Sequence, residues 1–312
     1  MLFLKVGVYF FLGLFMLLKG LQLMRGGLQE TTGQKVKLLL QKMTSNIYKG
    51  ILLGTVISGV IQSSGLLTVI VISFVDSGLI TLRQGFGVVL GANIGTTITA
   101  QIIAFHIENS LLFLLLVLGL IMLFWKKQKV FRYAGRIILG LGLIFSGINT
   151  MGAAMKPLHN CQLFLDLLTH LGHNYWLGIL LGVFFTAFIQ SSSAATGIII
   201  ALASQELISL PSSICFILGS NIGSCVTGLL ASIGTSLAAR RVAVAHLFLN
   251  IVGVVSLLPF LSTFSNLVEQ TAISISRQIA NAHTIFNIYN TLIIIPFTDI
   301  LIRLVTILIT KR

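Results

Sequence analysis

The chain carries little charge, and acidic residues are especially scarce. Only 9% of its 312 residues are charged, with 7 Asp and Glu against 20 Lys and Arg, whereas soluble domains carry about 25% charged residues. Hydrophobic residues make up 56%, and they form apolar runs of about 18 residues or more that are long enough to cross a bilayer. The composition argues against a soluble domain and predicts an all-α, multi-pass membrane protein.

Cysteine is nearly absent and offers no metal or redox pattern. Cys161, Cys215 and Cys225 have no CxxC or metal-ligand spacing, so we expect neither a disulfide framework nor a cofactor. The net charge of +13 comes from basic residues in short loops between apolar segments, which is a topology signal rather than a sign of nucleic-acid binding. The first apolar run follows Lys5 without a small-residue cleavage site, and it predicts a membrane helix rather than a cleaved signal.

One segment of the sequence occurs twice. GILLGTVISGVIQSSG begins at Gly50 and GILLGVFFTAFIQSSS begins at Gly178; LGANIGTTIT follows at Leu90 and LGSNIGSCVT at Leu218. The offset is 128 positions throughout, and about 21 of the 54 aligned pairs are identical. Upstream, LGLFMLLKG at Leu12 matches LGLGLIFSG at Leu139. The duplication predicts a transporter built from two repeats, about 5–105 and 132–233, followed by C-terminal helices over about 240–310.

Apolar segments of two kinds alternate along the chain. The segments 51–76 and 179–205 are too short for two spans and have a polar QSS in the middle, which predicts a re-entrant helical hairpin buried in protein. The other long segments predict about seven full spans. These spans are 3–24, 86–105, 111–125, 137–155, 214–233, 242–260 and 284–309.

The basic residues predict the orientation. Cytoplasmic loops are enriched in Lys and Arg, and basic residues cluster in 25–49, in 126–136, at Arg240 and Arg241, and at the C-terminus. All four come out cytoplasmic only if both QSS segments are hairpins. The N-terminus is then outside and the C-terminus inside, and the hairpins enter from opposite sides as an inverted-topology repeat.

The QSS clusters are candidate anion sites. Serine is a favoured N-cap, and the free N–H groups at a half-helix start attract anions. No Arg or Lys adjoins either cluster in sequence, which predicts neutral donors and a co-bound cation supplying the positive charge. The predicted substrate-binding residues are Gln62, Ser63, Ser64, Gln190, Ser191, Ser192 and Ser193.

The NIG clusters supply hydroxyl and amide oxygens of the kind that a hard cation such as sodium prefers. In the first cluster Thr99 also contributes a hydroxyl, and in the second Cys225 replaces a hydroxyl with a thiol. The predicted sodium-binding residues are Asn93, Thr96, Thr97, Thr196, Asn221, Ser224 and Thr227. No other metal is expected.

Two further patterns lie downstream. AHLFLN and AHTIFN place His246 with Asn250 and His283 with Asn287 on one helix face; they line a cavity, contact a hairpin or form an interhelical hydrogen bond, and we favour the last as a supporting role. Asp299 stands one turn before Arg303, which predicts an internal ion pair, with a proton relay as the alternative.

The doubled QSS and NIG motifs with AHxxFN downstream resemble the bacterial form of the type II sodium–phosphate cotransporter family. The resemblance covers nearly the whole chain and implies sodium-coupled transport of inorganic phosphate by alternating access, with the serines holding phosphate. Two departures stand out: Gly65 replaces a third serine, and Ser224, Cys225 and Val226 replace threonines, which puts sodium stoichiometry in doubt. No PhoU-type domain is expected in the chain, so such a regulator would be a separate protein.

Other readings remain at this stage. Small polar residues also pack helices closely, so a single QSS alone would indicate packing. The substrate could be another small oxyanion or a carboxylate, imported or exported, with protons as the coupling ion. An uncoupled channel is a further alternative. A serine hydrolase is disfavoured because no GxSxG elbow is present.

Overall fold

A computed structural model describes residues 2–43, 46–125, 128–162 and 174–310, and every regular element in these ranges is helical. Four basic residues that the sequence predicts to be cytoplasmic lie outside the described residues: Lys126, Lys127, Lys311 and Arg312. Short 3-10 turns at Lys156–Asn160 and Leu258–Phe260 connect some of the helices. The α-helices are α1 (Leu2–Met43), α2 (Ile47–Ile61), α3 (Ser64–Asp76), α4 (Leu82–Ile103), α5 (Asn109–Leu123), α6 (Lys129–Met155), α7 (Tyr175–Ile189), α8 (Ser192–Ala203), α9 (Leu210–Ala231), α10 (Leu237–Leu257), α11 (Leu261–Glu269) and α12 (Ile275–Leu308).

Among the described residues, six helical stretches are long and apolar enough to cross a membrane. The multi-pass prediction therefore agrees with the fold, although α5, predicted as a seventh span over 111–125, has 15 residues. At 1.5 Å per residue it is about 22 Å long, short of the ~30 Å hydrocarbon core. The six stretches are Phe3–Thr31, Leu82–Ile103, Lys129–Leu158, Leu210–Ala231, Leu237–Glu269 and Ile275–Leu308.

The segment 25–49, predicted as a cytoplasmic loop with an amphipathic surface helix after Lys37, is helical for most of its length. Helix α1 continues without a break to Met43, because the segment contains no proline and is rich in the helix formers Gln, Lys and Leu. The consequence for the site is direct, since Arg25 lies within a helix instead of in a loop.

Each QSS motif forms the turn of a helical hairpin. Gln62 ends α2 in the left-handed conformation (φ 59°), and Ser63 caps α3. Gln190 ends α7 in the same way (φ 56°), and Ser191 caps α8. The left-handed residue reverses the chain in a single step, so only two residues separate the two helices of each hairpin.

The two halves pack their hairpins in the same register. Helix α2 packs along α4, and α7 packs along α9. A methyl group at Gly91 would collide with the carbonyl group of Ile51, and one at Gly219 with that of Ile179, 128 positions further on in each case. Glycine therefore sets the close approach of the backbones at equivalent places.

Helices α1 and α6 pack against each other through equivalent faces. A methyl group at Gly13 would lie 2.7 Å from the carbonyl oxygen of Gly147, and one at Gly20 would lie 2.6 Å from that of Gly140. In the repeat alignment Gly13 corresponds to Gly140 and Gly20 to Gly147, so each contact is exchanged with its counterpart, as in a two-fold interface. The contact positions sum to 160, so the helices run antiparallel, which is the relation that an inverted repeat predicts.

The buried apolar side chains form two clusters, one around each hairpin. The first includes Leu67 and Val71 of α3 together with Phe86 of α4 and Val242 of α10. The second joins α8 and α9 to α1 and α6, with Leu17 and Met151 fully buried in it, and it also includes Phe264 of α11 and Phe286 of α12. The C-terminal helices therefore support both hairpins, and the second cluster adds α1 and α6.

Candidate functional site at the hairpin turns

The serine after each glutamine caps the following helix. Ser63 Oγ accepts a hydrogen bond from the backbone N–H of Leu66 (3.2 Å), and Ser191 Oγ accepts one from that of Ala194 (3.3 Å). Both are the N-cap hydrogen bonds that the sequence predicts. A capping hydroxyl keeps its own proton free to donate, so each turn presents an O–H group at the positive end of a helix.

One cavity reaches both turns. It has a volume of about 780 Å³, and Ser63 and Ser191 both line it. The remaining wall comes mainly from one face of α1, from Leu18 to Gln29, with Arg136 of α6 and Leu66 of α3. Two serines that are 128 positions apart in sequence therefore share one polar space.

A second cavity is the counterpart of the first. It has a volume of about 790 Å³ and is lined by α6 from Phe145 to Ala153 and by the adjoining Lys156, together with the ends of α4 and α8 and the start of α12. Six of these residues, five on α6 and Lys156 just after it, align with six lining residues of the first cavity on α1, but no residue of either QSS motif lines the second cavity. The aligned pairs are Leu18 with Phe145, Leu21 with Ile148, Gln22 with Asn149, Arg25 with Gly152, Gly26 with Ala153, and Gln29 with Lys156.

Arg25 is a basic residue in contact with a QSS motif, although no Arg or Lys adjoins either motif in sequence, and it brings a positive charge where the sequence predicts only neutral donors. Its Nη2 donates to Ser193 Oγ at 2.9 Å, and its Nε is buried with no partner. The sequence places it in an apparent cytoplasmic loop, 168 positions from Ser193. The continuous α1 instead carries the guanidinium to the turn of the second hairpin.

The other charges near the first cavity are partly neutralised. Arg136 forms an ion pair with Glu30, and the exposed Lys19 donates to Gln22 at 3.0 Å. Neither of the two ion pairs found in the described part of the chain involves Arg25. Arg25 differs from Arg136 in having a neutral partner, Ser193, and from the exposed Lys19 in being partly buried.

The two glutamines differ between the hairpins. Gln62 is 3% exposed, accepts from Thr99 Oγ1 at 2.5 Å and donates to the carbonyl oxygen of Gly59. Gln190 is exposed. The counterpart of Thr99 is Thr227, which lies instead against Gly65, 3.4 Å from a methyl group placed there.

The predicted sodium ligands lie on α4, α8 and α9, and several are engaged within the protein. Asn93 donates to Asn250 Oδ1 (3.2 Å), and its Oδ1 contacts His246 Nε2 (3.1 Å). Asn221 donates to the carbonyl oxygen of Ile217 in its own helix (2.8 Å). Thr97, Thr196 and Ser224 donate to backbone carbonyl oxygens within one turn, Thr96 is buried, and Cys225 accepts from Asn250.

The two AHxxFN motifs behave differently. His246 and Asn250 of α10 contact Asn93 of α4, so this pair makes the interhelical hydrogen bonds favoured from the sequence. His283 is 2% exposed, and both of its ring nitrogens lack a partner. Asn287 donates to the backbone carbonyl oxygen of His283.

The predicted Asp299–Arg303 ion pair is wrong. Asp299 Oδ2 contacts Arg83 Nη2 of α4 at 3.3 Å, and both side chains are more than half exposed. Asp299 pairs with Arg83 because α4 packs against α12 and brings the two side chains within reach. A pair at the exposed surface gives no support to a proton relay through the protein.

The model of the Na+/Pi-cotransporter family matches residues 16–153 and 158–276, which include both hairpins and both NIG clusters. The chain belongs to this family. It is therefore a member of a family of membrane transporters.

Three relatives illustrate the range of the family. YqeW of Bacillus subtilis (strain 168) is 33% identical over 81% of the chain and 82% of its own length. YjbB of Escherichia coli (strain K12), named as a candidate inorganic phosphate export protein, is 30% identical over 78% of the chain and 45% of its length. Human sodium-dependent phosphate transport protein 2B is 30% identical over 41% of the chain and 20% of its own length. The chain thus spans less than half of YjbB. No solved structure matches the chain.

Proposed function

We propose that the protein carries inorganic phosphate across the cytoplasmic membrane by alternating access, coupled to sodium. The observation that carries this proposal is the pair of cavities lined by aligned residues of α1 and α6, of which one contains Ser63 and Ser191. Two related half-channels, only one of which meets the site, are what a transporter needs in order to expose its substrate to one side at a time.

The chemistry of the turns fits a tetrahedral oxyanion. Each hairpin presents a serine hydroxyl and the N-terminus of a helix, and both features favour an anion. Ser64, Ser192 and Ser193 are buried behind the two capping serines. Phosphate offers several acceptor oxygens, so one ion could receive donors from both hairpins.

Coupling to sodium is supported by the family and by the oxygen-rich helices behind the turns. Hydroxyl oxygens that donate their proton to a carbonyl group, as in Thr97, Thr196 and Ser224, keep lone pairs for a cation. The human relative is named as sodium-dependent. We expect sodium to bind with phosphate as a symported ion.

The direction of transport is a separate proposal. The name of the Escherichia coli relative describes phosphate export. The first cavity lies between residues 18–29 of α1 and Arg136 near the start of α6, next to the basic segments that predict the cytoplasmic side. A site open to the cytoplasm can load phosphate for export or release it after import. The N-terminus would lie outside in both cases.

Reconstituted transport tests the proposal. Purified protein in liposomes would be supplied with radiolabelled phosphate and either an inward sodium gradient or an equal potassium gradient. We expect accumulation above equilibrium only with sodium. Accumulation with potassium in acidic medium would replace sodium by protons as the coupling ion, and the absence of any phosphate flux with folded protein would contradict the proposal.

The same liposomes test direction and substrate. Vesicles loaded with phosphate and given an outward sodium gradient should release it faster than potassium controls if the coupling is reversible. Arsenate, sulfate and a dicarboxylate serve as competitors. Inhibition by arsenate alone would identify a site selective for this tetrahedral shape and charge, whereas equal inhibition by all three would indicate a general anion carrier.

A further inference from the structure

We propose that Arg25 supplies the fixed positive charge that neutralises the transported oxyanion, and that Ser193 positions it. This inference rests on the proposed function for the identity of the anion as phosphate. It assigns the charge to a residue of α1, outside the QSS motifs and the NIG clusters.

The position of Arg25 is the first argument. It lines the cavity that Ser63 and Ser191 also line, so it shares a polar space with both capping serines. A charged residue within an apolar helix is costly and is retained where it faces a cavity or a partner. Arg25 has such a cavity, and no carboxylate forms an ion pair with it in the described residues.

The hydrogen bonds of Arg25 are the second argument. Its Nη2 donates to Ser193 Oγ at 2.9 Å, while its Nε is buried and unpaired. A guanidinium has five donors in a rigid fork that suits the oxygens of phosphate. Ser193 Oγ accepts from Arg25 and still holds its own proton, so both groups can donate toward one anion.

The repeat alignment is the third argument. The counterpart of Arg25 is Gly152, and the counterpart of Ser193 is Gly65. Both members of the pair are thus glycine in the other half. One pairing of equivalent positions holds both the arginine and the serine that it bonds to, and the corresponding pairing holds neither. This joint presence and joint absence is expected if the two residues act together.

Equilibrium binding of radiolabelled phosphate to the purified protein in detergent and sodium chloride tests the inference. Arg25→Gln should lower phosphate affinity by roughly ten- to a hundredfold, since hydrogen bonds to charged groups contribute that much. Arg25→Lys should recover part of the loss, because it restores the charge without the fork. Ser193→Ala should lower phosphate affinity roughly threefold. Arg303→Gln, at an exposed site on α12, is the matched control and should bind as the unmodified protein does.

The outcomes separate the charge from the substrate. Phosphate affinity unchanged in folded Arg25→Gln would overturn the inference, as would equal losses in Arg25→Gln and Arg25→Lys, which would indicate a structural role. If the unmodified protein binds sulfate but not phosphate, and Arg25→Gln loses the sulfate, the inference stands while the proposed substrate fails. If Arg25→Gln does not fold, Arg25→Lys and Ser193→Ala decide, and wild-type affinity in both would overturn it.

Discussion

The two hairpins have the same sequence motif and the same backbone turn, yet their surroundings differ. At the first, Gln62 is buried and bonded to Thr99; at the second, Gln190 is exposed and Ser193 is bonded to Arg25. The glutamine of the first hairpin therefore bonds within its own repeat, whereas Ser193 of the second hairpin bonds to a helix of the other repeat.

Removing the capping hydroxyls should have the largest effect, and at both hairpins. Ser63→Ala or Ser191→Ala loses a donor to the anion and an N-cap, and we expect sodium-driven phosphate uptake in liposomes to fall roughly a hundredfold, since charged hydrogen bonds and the cap act together. Ser236→Ala removes the N-cap of α10 away from both cavities and should keep uptake within about threefold. Normal uptake by both Ser63→Ala and Ser191→Ala would contradict the proposal that phosphate binds at the hairpin turns.

The two NIG asparagines should differ in stability. Asn93 contacts His246 and Asn250 of another helix, so Asn93→Ala leaves buried groups unpaired and should cost about 1–3 kcal/mol in the free energy of unfolding. Asn221 bonds only within its own helix, and Asn221→Ala should cost less than about 1 kcal/mol. Thermal unfolding of both variants in the same detergent measures the two losses of stability. Equal losses would contradict the difference in hydrogen bonding between Asn93 and Asn221.

The two equivalent threonines, Thr99 and Thr227, should also differ in how much their replacement lowers stability, with the larger loss again in the first repeat. The difference should be smaller than for the two asparagines. Thr99→Val leaves the buried Gln62 Oε1 without its donor and should cost about 1–2 kcal/mol. Thr227→Val, at a partly buried threonine that lies against Gly65, should change stability by less than about 0.5 kcal/mol. A saturating sodium concentration in a second melt tests whether either threonine also binds the ion, since the variant of a ligand would gain less stabilisation from sodium than the unmodified protein.

The smallest effect should come from making the first hairpin resemble the second. Gly65→Ser restores the third serine, and a methyl group there meets Thr227 only at ordinary contact distance. Because no arginine stands at Gly152 to hold the new hydroxyl, we expect phosphate affinity to change by less than about threefold. A large gain would mean that Gly65 limits binding by itself, without a cationic partner.

Sequence reasoning located the elements that local chemistry determines. The repeated QSS between short apolar runs was enough to place both hairpin turns, and the hydropathy was enough for a multi-pass helical fold. The AHxxFN spacing indicated an interhelical contact, which His246 makes and His283 does not.

What the sequence did not reveal depends on distant packing. The basic residues of 25–49 predict a cytoplasmic loop that includes Arg25, because charge counting cannot detect that α1 continues through most of this segment. Asp299 was paired with Arg303 because only sequence neighbours were available, although Arg83 is closer in space. One signal was present: Arg25 aligns with Gly152, and a charge that one repeat lacks marks a place where the halves differ.

The self-matched contact between α1 and α6 has a consequence for how this protein could have diverged. If each half were a separate copy of one chain, every substitution would occur at both equivalent positions, and an arginine at Gly152 would accompany the one at position 25. A single continuous chain removes that constraint. The unequal pairs Arg25 with Gly152 and Ser193 with Gly65 therefore require that the two halves be encoded separately, each free to acquire a residue that its counterpart lacks.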